Sequence, residues 1–245
     1  MLSKLILICL STALLTWLLL VIRKRHSNLL SKRFVVLVYW LKIVSGIGMS
    51  ILYSSYYPVR EEADIYKYFD DSKVLYDAFM QNPHDGFQAF MGNDDDTHIS
   101  TSIMNKMNHW YRPYYGNQSN DSHLMIRFNT LLRFVSFGHY EVHVVVMSLI
   151  SLLGLLLFFN TFKDVVPYHN MQLLKLIFFI PSILIWSSSV LKEGFVILAM
   201  GLLVWSVKKL SVNIWRSLVA LLSAAVLLYA VKLYIILAFL PGFVA

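Results

Sequence analysis

The chain has 245 residues, 58% of them hydrophobic and only 14% charged, with a formal charge of +7 and a mean hydropathy of +0.61. Soluble domains carry roughly 25% charged residues, so this composition excludes disorder, a collagen-like repeat and an ordinary cytosolic enzyme, and leaves a polytopic membrane protein. The basic residues do not line one soluble face, which argues against nucleic acid as a partner, and the single Cys9 excludes an intrachain disulfide.

The expected fold class is all-α, with about six transmembrane helices and the start of a seventh. Crossing roughly 30 Å of hydrocarbon takes about 20 helical residues, and the apolar segments 5–22, 34–53, 142–159, 173–190, 195–207 and 217–231 come near that length. After Lys232 another apolar stretch begins, but it covers only about 20 Å before the sequence stops. The organisation is therefore two spans with a basic loop (1–56), a helical loop (57–141), and spans three to six with the start of a seventh (142–245). Because the last span is incomplete, a truncated member of a larger architecture is expected.

Charge sets the expected orientation. Loop 23–33 holds Arg23, Lys24, Arg25, Lys32 and Arg33 and no acid; Lys163, Lys175, Lys208, Lys209 and Arg216 share its side, with Asp164 as the one acid there. The other acids run from Glu61 to Glu141, plus Glu193. Basic loops stay cytoplasmic, so the N-terminus and 57–141 are expected outside. The basic cluster follows the first apolar run instead of preceding it, which marks a retained anchor and not a signal peptide.

Within 57–141, residues 64–80 have the period of an amphipathic helix with Ile65, Phe69, Leu75 or Tyr76, and Phe79 on one side. Directly after a span, such a helix lies along the membrane surface. Asn82-Pro-His-Asp-Gly86 is a break, Phe87 begins a short apolar patch, and 92–97 is a loop. Further helices are expected over 101–111, with Ile103, Met104, Met107 and Trp110 inward, and over 124–137.

Several clusters carry candidate chemistry. Glu61-Glu-Ala-Asp-Ile-Tyr66 sets acids at the external boundary, where a carboxylate can act as general base on a hydroxyl or hold a metal against a phosphate. Helix capping accounts for the same acids. Asp94, Asp95 and Asp96 with His98 offer ligands suited to Mg, Mn or Ca, but three adjacent Asp cannot all face one ion, and a solvated acidic loop is the alternative. In Pro181-Ser-Ile-Leu-Ile-Trp-Ser-Ser-Ser-Val-Leu-Lys-Glu193, Ser187, Ser188 and Ser189 can satisfy carbonyls freed by the proline. Lys192 and Glu193 then either mark a tight turn at the outer water boundary or bring a cation to a lipid phosphate. Lys232-Leu-Tyr234 repeats the pairing of cation and aromatic, which snorkelling also explains. Lys42 lies several residues into its span and requires a partner or a cavity. His139 and His143, four apart, read as a satisfied interfacial pair.

Ala63-Asp64-x-Tyr66 just after a span, surface helices in the first large external loop, and the Pro181…Trp186-Ser-Ser…Lys192-Glu193 turn together resemble bacterial polytopic envelope-glycan proteins. The nearest are GT-C-type glycosyltransferases of the dolichyl-phosphate-mannose mannosyltransferase-like branch, and polysaccharide polymerases. The resemblance covers most of 40–245. It implies a catalytic or metal-binding role for Asp64, with Glu61 and Glu62 as substitutes, and Mg or Mn as the metal. It also implies that Lys192, Glu193, Lys232 and Tyr66 receive a polyprenyl phosphate. The implied partners are the bilayer, a polyprenyl-phosphate-linked sugar and other glycan-assembly membrane proteins; the implied location is a bacterial inner (plasma) membrane with 57–141 in the periplasm. The alternative is a non-enzymatic subunit or scaffold that binds a partner through the external helices, around Phe69 or Phe79. A transporter would need ionisable groups at the bilayer midplane, where only Lys42 qualifies.

Overall fold

The computed structural model describes residues 2–26, 30–93, 95–111, 121–165 and 170–244, and among these there are helices and turns but no strand. In chain order the helices are α1 (Leu2–His26), α2 (Lys32–Tyr56), α3 (Asp64–Gln81), α4 (Pro83–Met91), α5 (Thr97–Ser102), α6 (Ser122–Ser136), α7 (Tyr140–Phe162), α8 (Asn170–Phe178), α9 (Pro181–Trp186), α10 (Glu193–Lys209) and α11 (Ile214–Val244). Among the described residues, four stretches are long and apolar enough to cross a membrane: 2–24 of α1, all of α2, all of α7, and 214–235 of α11. That is the pattern of a multi-pass membrane protein. The chain divides into two compact units, 1–50 with 144–245, and 51–143.

The first unit is built on α7. Leu152, Leu155 and Phe159 pack with Leu19 of α1, Val38 and Tyr39 of α2, and Phe178 of α8. Gly154 and Gly201 bring α7 and α10 into backbone contact: a Cβ on Gly154 would stand 2.4 Å from the Ile197 carbonyl oxygen, and one on Gly201 would stand 2.4 Å from that of Gly154. Small residues at such crossings let two apolar helices approach closely where lipid offers no hydrophobic drive.

The expected fourth span, 173–190, is not one helix. Pro181 occupies the first turn of α9 and holds Ile180 extended (φ −64°, ψ 120°), so α8 and α9 are separate short helices. After α9 the chain leaves the helix and turns into α10, a helix of 17 residues. The expected sixth span and the start of the seventh form one helix, α11, which kinks at Lys232 (φ −154°, ψ 80°).

In the second unit α3 buries Ile65, Phe69 and Leu75, the stripe that its periodicity predicts. The expected break falls at Asn82, which is extended (φ −142°, ψ 103°) and ends α3, but Pro83–Gly86 already belongs to the next helix. Asn82 accepts a hydrogen bond from the His84 N–H (3.1 Å), Pro83 takes the first helical position, and α4 ends at Gly92 in the left-handed region (φ 86°). The helix expected over 101–111 does not form: α5, capped by the Asp96 carboxylate, ends at Ser102, and only a 3-10 turn, Met104–Lys106, follows it. Ile103, Met104, Met107 and Trp110 are all buried, as expected. Phe69 is buried too, against the Tyr140 and His143 rings, so it offers no surface to a partner.

Candidate functional site

Several buried polar groups of the first unit gather at the turn between α9 and α10. Ser187, Ser188 and Ser189 are all fully buried. The Ser187 and Ser188 hydroxyls donate back to the Ile183 and Leu184 carbonyls, each at 2.5 Å, which closes the exposed end of α9. Lys42 of α2 donates through Nζ to Ser187 Oγ at 2.7 Å. Lys192 is buried, and Glu193 opens α10 with its carboxylate on Lys232 Nζ, 2.8 Å away at the α11 kink. The turn sits tightly against its neighbours. A Cβ on Gly46 of α2 would fall 2.6 Å from the Ser188 carbonyl oxygen, and one on Gly194 would fall 2.6 Å from Met147 Cε of α7.

Beside the turn lies a cleft of about 490 Å³, lined by Ser182, Ile183, Trp186 and Ser187 on the α9 side and by Glu193 and Val196 on the α10 side. Lys42 and Lys232 each hold one of these lining residues. At 1.5 Å per residue, Lys42 stands about 15 Å along α2 from Lys32, Glu193 about 24 Å along α10 from Lys209, and Lys232 about 27 Å along α11 from Ile214. Glu193 and Lys232 thus stand near the end of α10 and α11 far from the basic loops, while Lys42 reaches the turn from nearer the middle of α2. Non-helical backbone between apolar helices is tolerated where protein buries it, and the three serines of this turn are fully buried.

Of the sequence-predicted phosphate residues, Lys192, Glu193 and Lys232 come together here. Tyr66 belongs to the other unit, where it is buried under the Arg60 guanidinium, 3.7 Å above its ring. Asp64 begins α3; its side chain is 61% exposed and accepts from Lys67 Nζ at 2.5 Å. Glu61 and Glu62 lie exposed in a 3-10 turn, Arg60–Glu62. Asp96 Oδ1 accepts from the His98 and Ile99 N–H groups (2.9 and 3.4 Å), so that carboxylate is engaged in capping. Asp95 is exposed, and Asp94 lies outside the described residues. Among the described residues no three His, Cys, Asp or Glu side chains gather as a ligand set.

Sequence reasoning missed a buried polar network in the second unit. Arg133 of α6 donates from Nε to Ser72 Oγ (2.8 Å) and from a terminal nitrogen to the Phe69 carbonyl, with its guanidinium 4.0 Å above the Phe69 ring. Burial lowers the Arg133 pKa to about 10. His143 is satisfied by Asn129 Oδ1 (2.7 Å) and Ser136 Oγ (2.8 Å), not by His139, which precedes the first residue of α7. The available signal was the placement of Asn129 and Arg133, four apart on the face of α6 that also buries Met125 and Ile126. Asp71, likewise buried, accepts from the Asn108 and His109 N–H groups at 3.0 and 2.8 Å.

No protein-family model, no curated protein and no solved structure matches the chain.

Proposed function

We propose that this protein resides in a bacterial inner membrane, binds a polyprenyl-phosphate-linked sugar at the Ser187–Glu193 turn, and takes part in glycosyl transfer for envelope glycan assembly. The observation that carries the reading is the group formed by Lys42, Lys192, Glu193 and Lys232, buried or half-buried around three serines beside a cleft. A charge at the centre of a span costs about 2.5–3.5 kcal/mol, and Lys42, near the middle of α2, is the ionisable residue whose position marks function by default. Basic side chains from the ends of α1, α7 and α10 share one cleft (Arg23, Lys163, Lys209), which supports a single cytoplasmic end and an external 57–141 segment. In this topology α1, α2, α7 and α11 cross the membrane. The segments expected as spans four and five become two legs of a hairpin, α8–α9 and α10, entering from the basic end.

In the transfer step an acceptor hydroxyl oxygen forms a bond to the anomeric carbon while the bond from that carbon to the phosphate oxygen breaks. Asp64 takes the hydroxyl proton, and the cations of the turn stabilise the departing polyprenyl phosphate. Asp64→Asn should abolish glycan assembly while the protein remains at wild-type level in the membrane; unchanged glycan in that variant would sink the catalytic role. One observation favours the scaffold alternative. Leu131, Val135 and Phe137 are 56–72% exposed on and just after α6, an apolar strip suited to a protein partner. On that reading Asp64→Asn is silent, and Leu131→Asp removes a co-purifying subunit.

A further inference from the structure

A second cleft, of about 420 Å³, opens between α1, α7 and α10 at the opposite end of α10 from the serine turn. Its wall is apolar, formed by Leu153, Leu156 and Leu157 of α7 and by Leu198 and Leu202 of α10. Its rim is cationic: Arg23 from α1, Lys163 from the end of α7, and Lys209 from the end of α10, with Trp205 beside them. One carboxylate, Asp164, also lines the rim, but it is already held by Lys208 Nζ at 2.7 Å.

The donors are only partly used. The Arg23 side chain, itself buried, donates from Nε and one terminal nitrogen to the Leu30 carbonyl, and a guanidinium has five N–H donors. Lys163 Nζ reaches Asn160 Oδ1 only at 3.3 Å. An ammonium has three donors, so Lys163, like Arg23, keeps donors beyond the bonds it makes here. Leucine walls exclude a small hydrophilic anion as the natural occupant, and a cationic rim excludes a purely apolar one. An indole at the junction suits the boundary between acyl chain and headgroup.

We infer that this cleft is a binding site for an anionic phospholipid, with the headgroup phosphate on Arg23, Lys163 and Lys209 and one acyl chain along the leucine wall. Basic pockets between helices at a cytoplasmic face take anionic headgroups in this way. The inference stands apart from the glycosyl-transfer reading, because it uses none of the residues of the serine turn.

The test uses the full chain in a non-ionic detergent, with native mass spectrometry to count bound lipid. Phosphatidylglycerol should be retained over phosphatidylcholine of the same acyl chains. Lys163→Gln with Lys209→Gln should weaken phosphatidylglycerol about 25-fold, near fivefold for each lysine. Leu202→Trp, which keeps every charge and fills the wall, should also release it. Lys163→Arg with Lys209→Arg should restore binding, so a folding defect in the glutamine variant cannot imitate the result. Equal retention of the two lipids, or indifference to both the glutamine and the tryptophan variants, overturns the site. Displacement of phosphatidylglycerol by millimolar inorganic phosphate, with Leu202→Trp silent, overturns it as a lipid site and leaves a bare anion site.

Discussion

The Lys42 ammonium on α2 and the Ser187 hydroxyl form a 2.7 Å hydrogen bond between residues 145 positions apart, and the same hydroxyl donates onward to Ile183. The lysine is completely buried, and Ser187 is its hydrogen-bond acceptor in the turn. Ser187→Ala removes that acceptor, and leaving a buried donor unmet costs about 1–3 kcal/mol, more when it is charged. Lys42→Met fills similar volume without a charge and should hold or raise thermal stability. In Lys42→Met the further change Ser187→Ala should then cost clearly less than it does in the wild type, a coupling of about 1 kcal/mol or more. Melting of all four proteins in detergent measures it; additive effects would show that the contact contributes nothing.

The demand for a Lys42 partner was legible because a lysine within an apolar run must be met by something. Its identity was not, because Ser187 lies in a turn whose position depends on how α9 and α10 pack. The same limit applies elsewhere. The stripe Ile65, Phe69, Leu75 follows from helical period alone, whereas the burial of Arg133 requires the α3 backbone to supply the Phe69 carbonyl. Asn82-Pro83 carries both a break signal and a helix-start signal, and the structure uses both: Asn82 ends α3 and caps α4 through its bond from His84. Asp64 and the cationic turn, joined by resemblance in the sequence, fall in separate units of the fold.

The contact of α7 with α10 predicts steep sensitivity at two glycines and none at a third. Gly154→Ala and Gly201→Ala would each drive a methyl group into backbone at 2.4 Å, where no side-chain rotation relieves the clash. Overpacking of this kind costs about 1–3 kcal/mol or more. Gly48, on α2, has nothing within 4 Å of an added Cβ, and Gly48→Ala should be neutral or slightly stabilising through helix propensity. Folded yield after detergent extraction separates the three. Equal tolerance at all three positions would contradict the close crossing.

The Lys208 hydrogen bond to Asp164 holds this exposed carboxyl below its ordinary value of 3.8, with Lys163 and Lys209 adding to the effect. A carboxylate with a depressed folded pKa contributes stability that is present above 3.8 and is lost as pH falls through the folded value. The contribution is small and screened by salt, since the group lies in solvent. Lys208 also donates to the Thr161 carbonyl at 2.6 Å, so protonating Asp164 loosens this junction without freeing the lysine. Asp164→Asn should flatten the pH dependence of melting below about pH 4 and leave neutral-pH stability nearly unchanged. A variant that melts with the wild-type acid slope would remove Asp164 from the acid response.

Arg133 joins α3 to α6 through two donors and a ring contact, so its replacement separates charge from geometry. Lysine keeps the charge but lacks the planar fork, and cannot meet Ser72 Oγ and the Phe69 carbonyl together while lying over the Phe69 ring. Arg133→Lys should therefore cost nearly as much as Arg133→Met. Each leaves at least one buried group unmet at about 1–3 kcal/mol. With the pKa lowered to about 10, the guanidinium stays charged at neutral pH, and neither loss should vary between pH 6 and 8. Limited proteolysis of the 51–143 segment in membranes reads the effect, with faster cleavage expected in both variants. A lysine variant as resistant as the wild type would mean that charge alone holds α3 to α6, and the bidentate geometry would carry no weight.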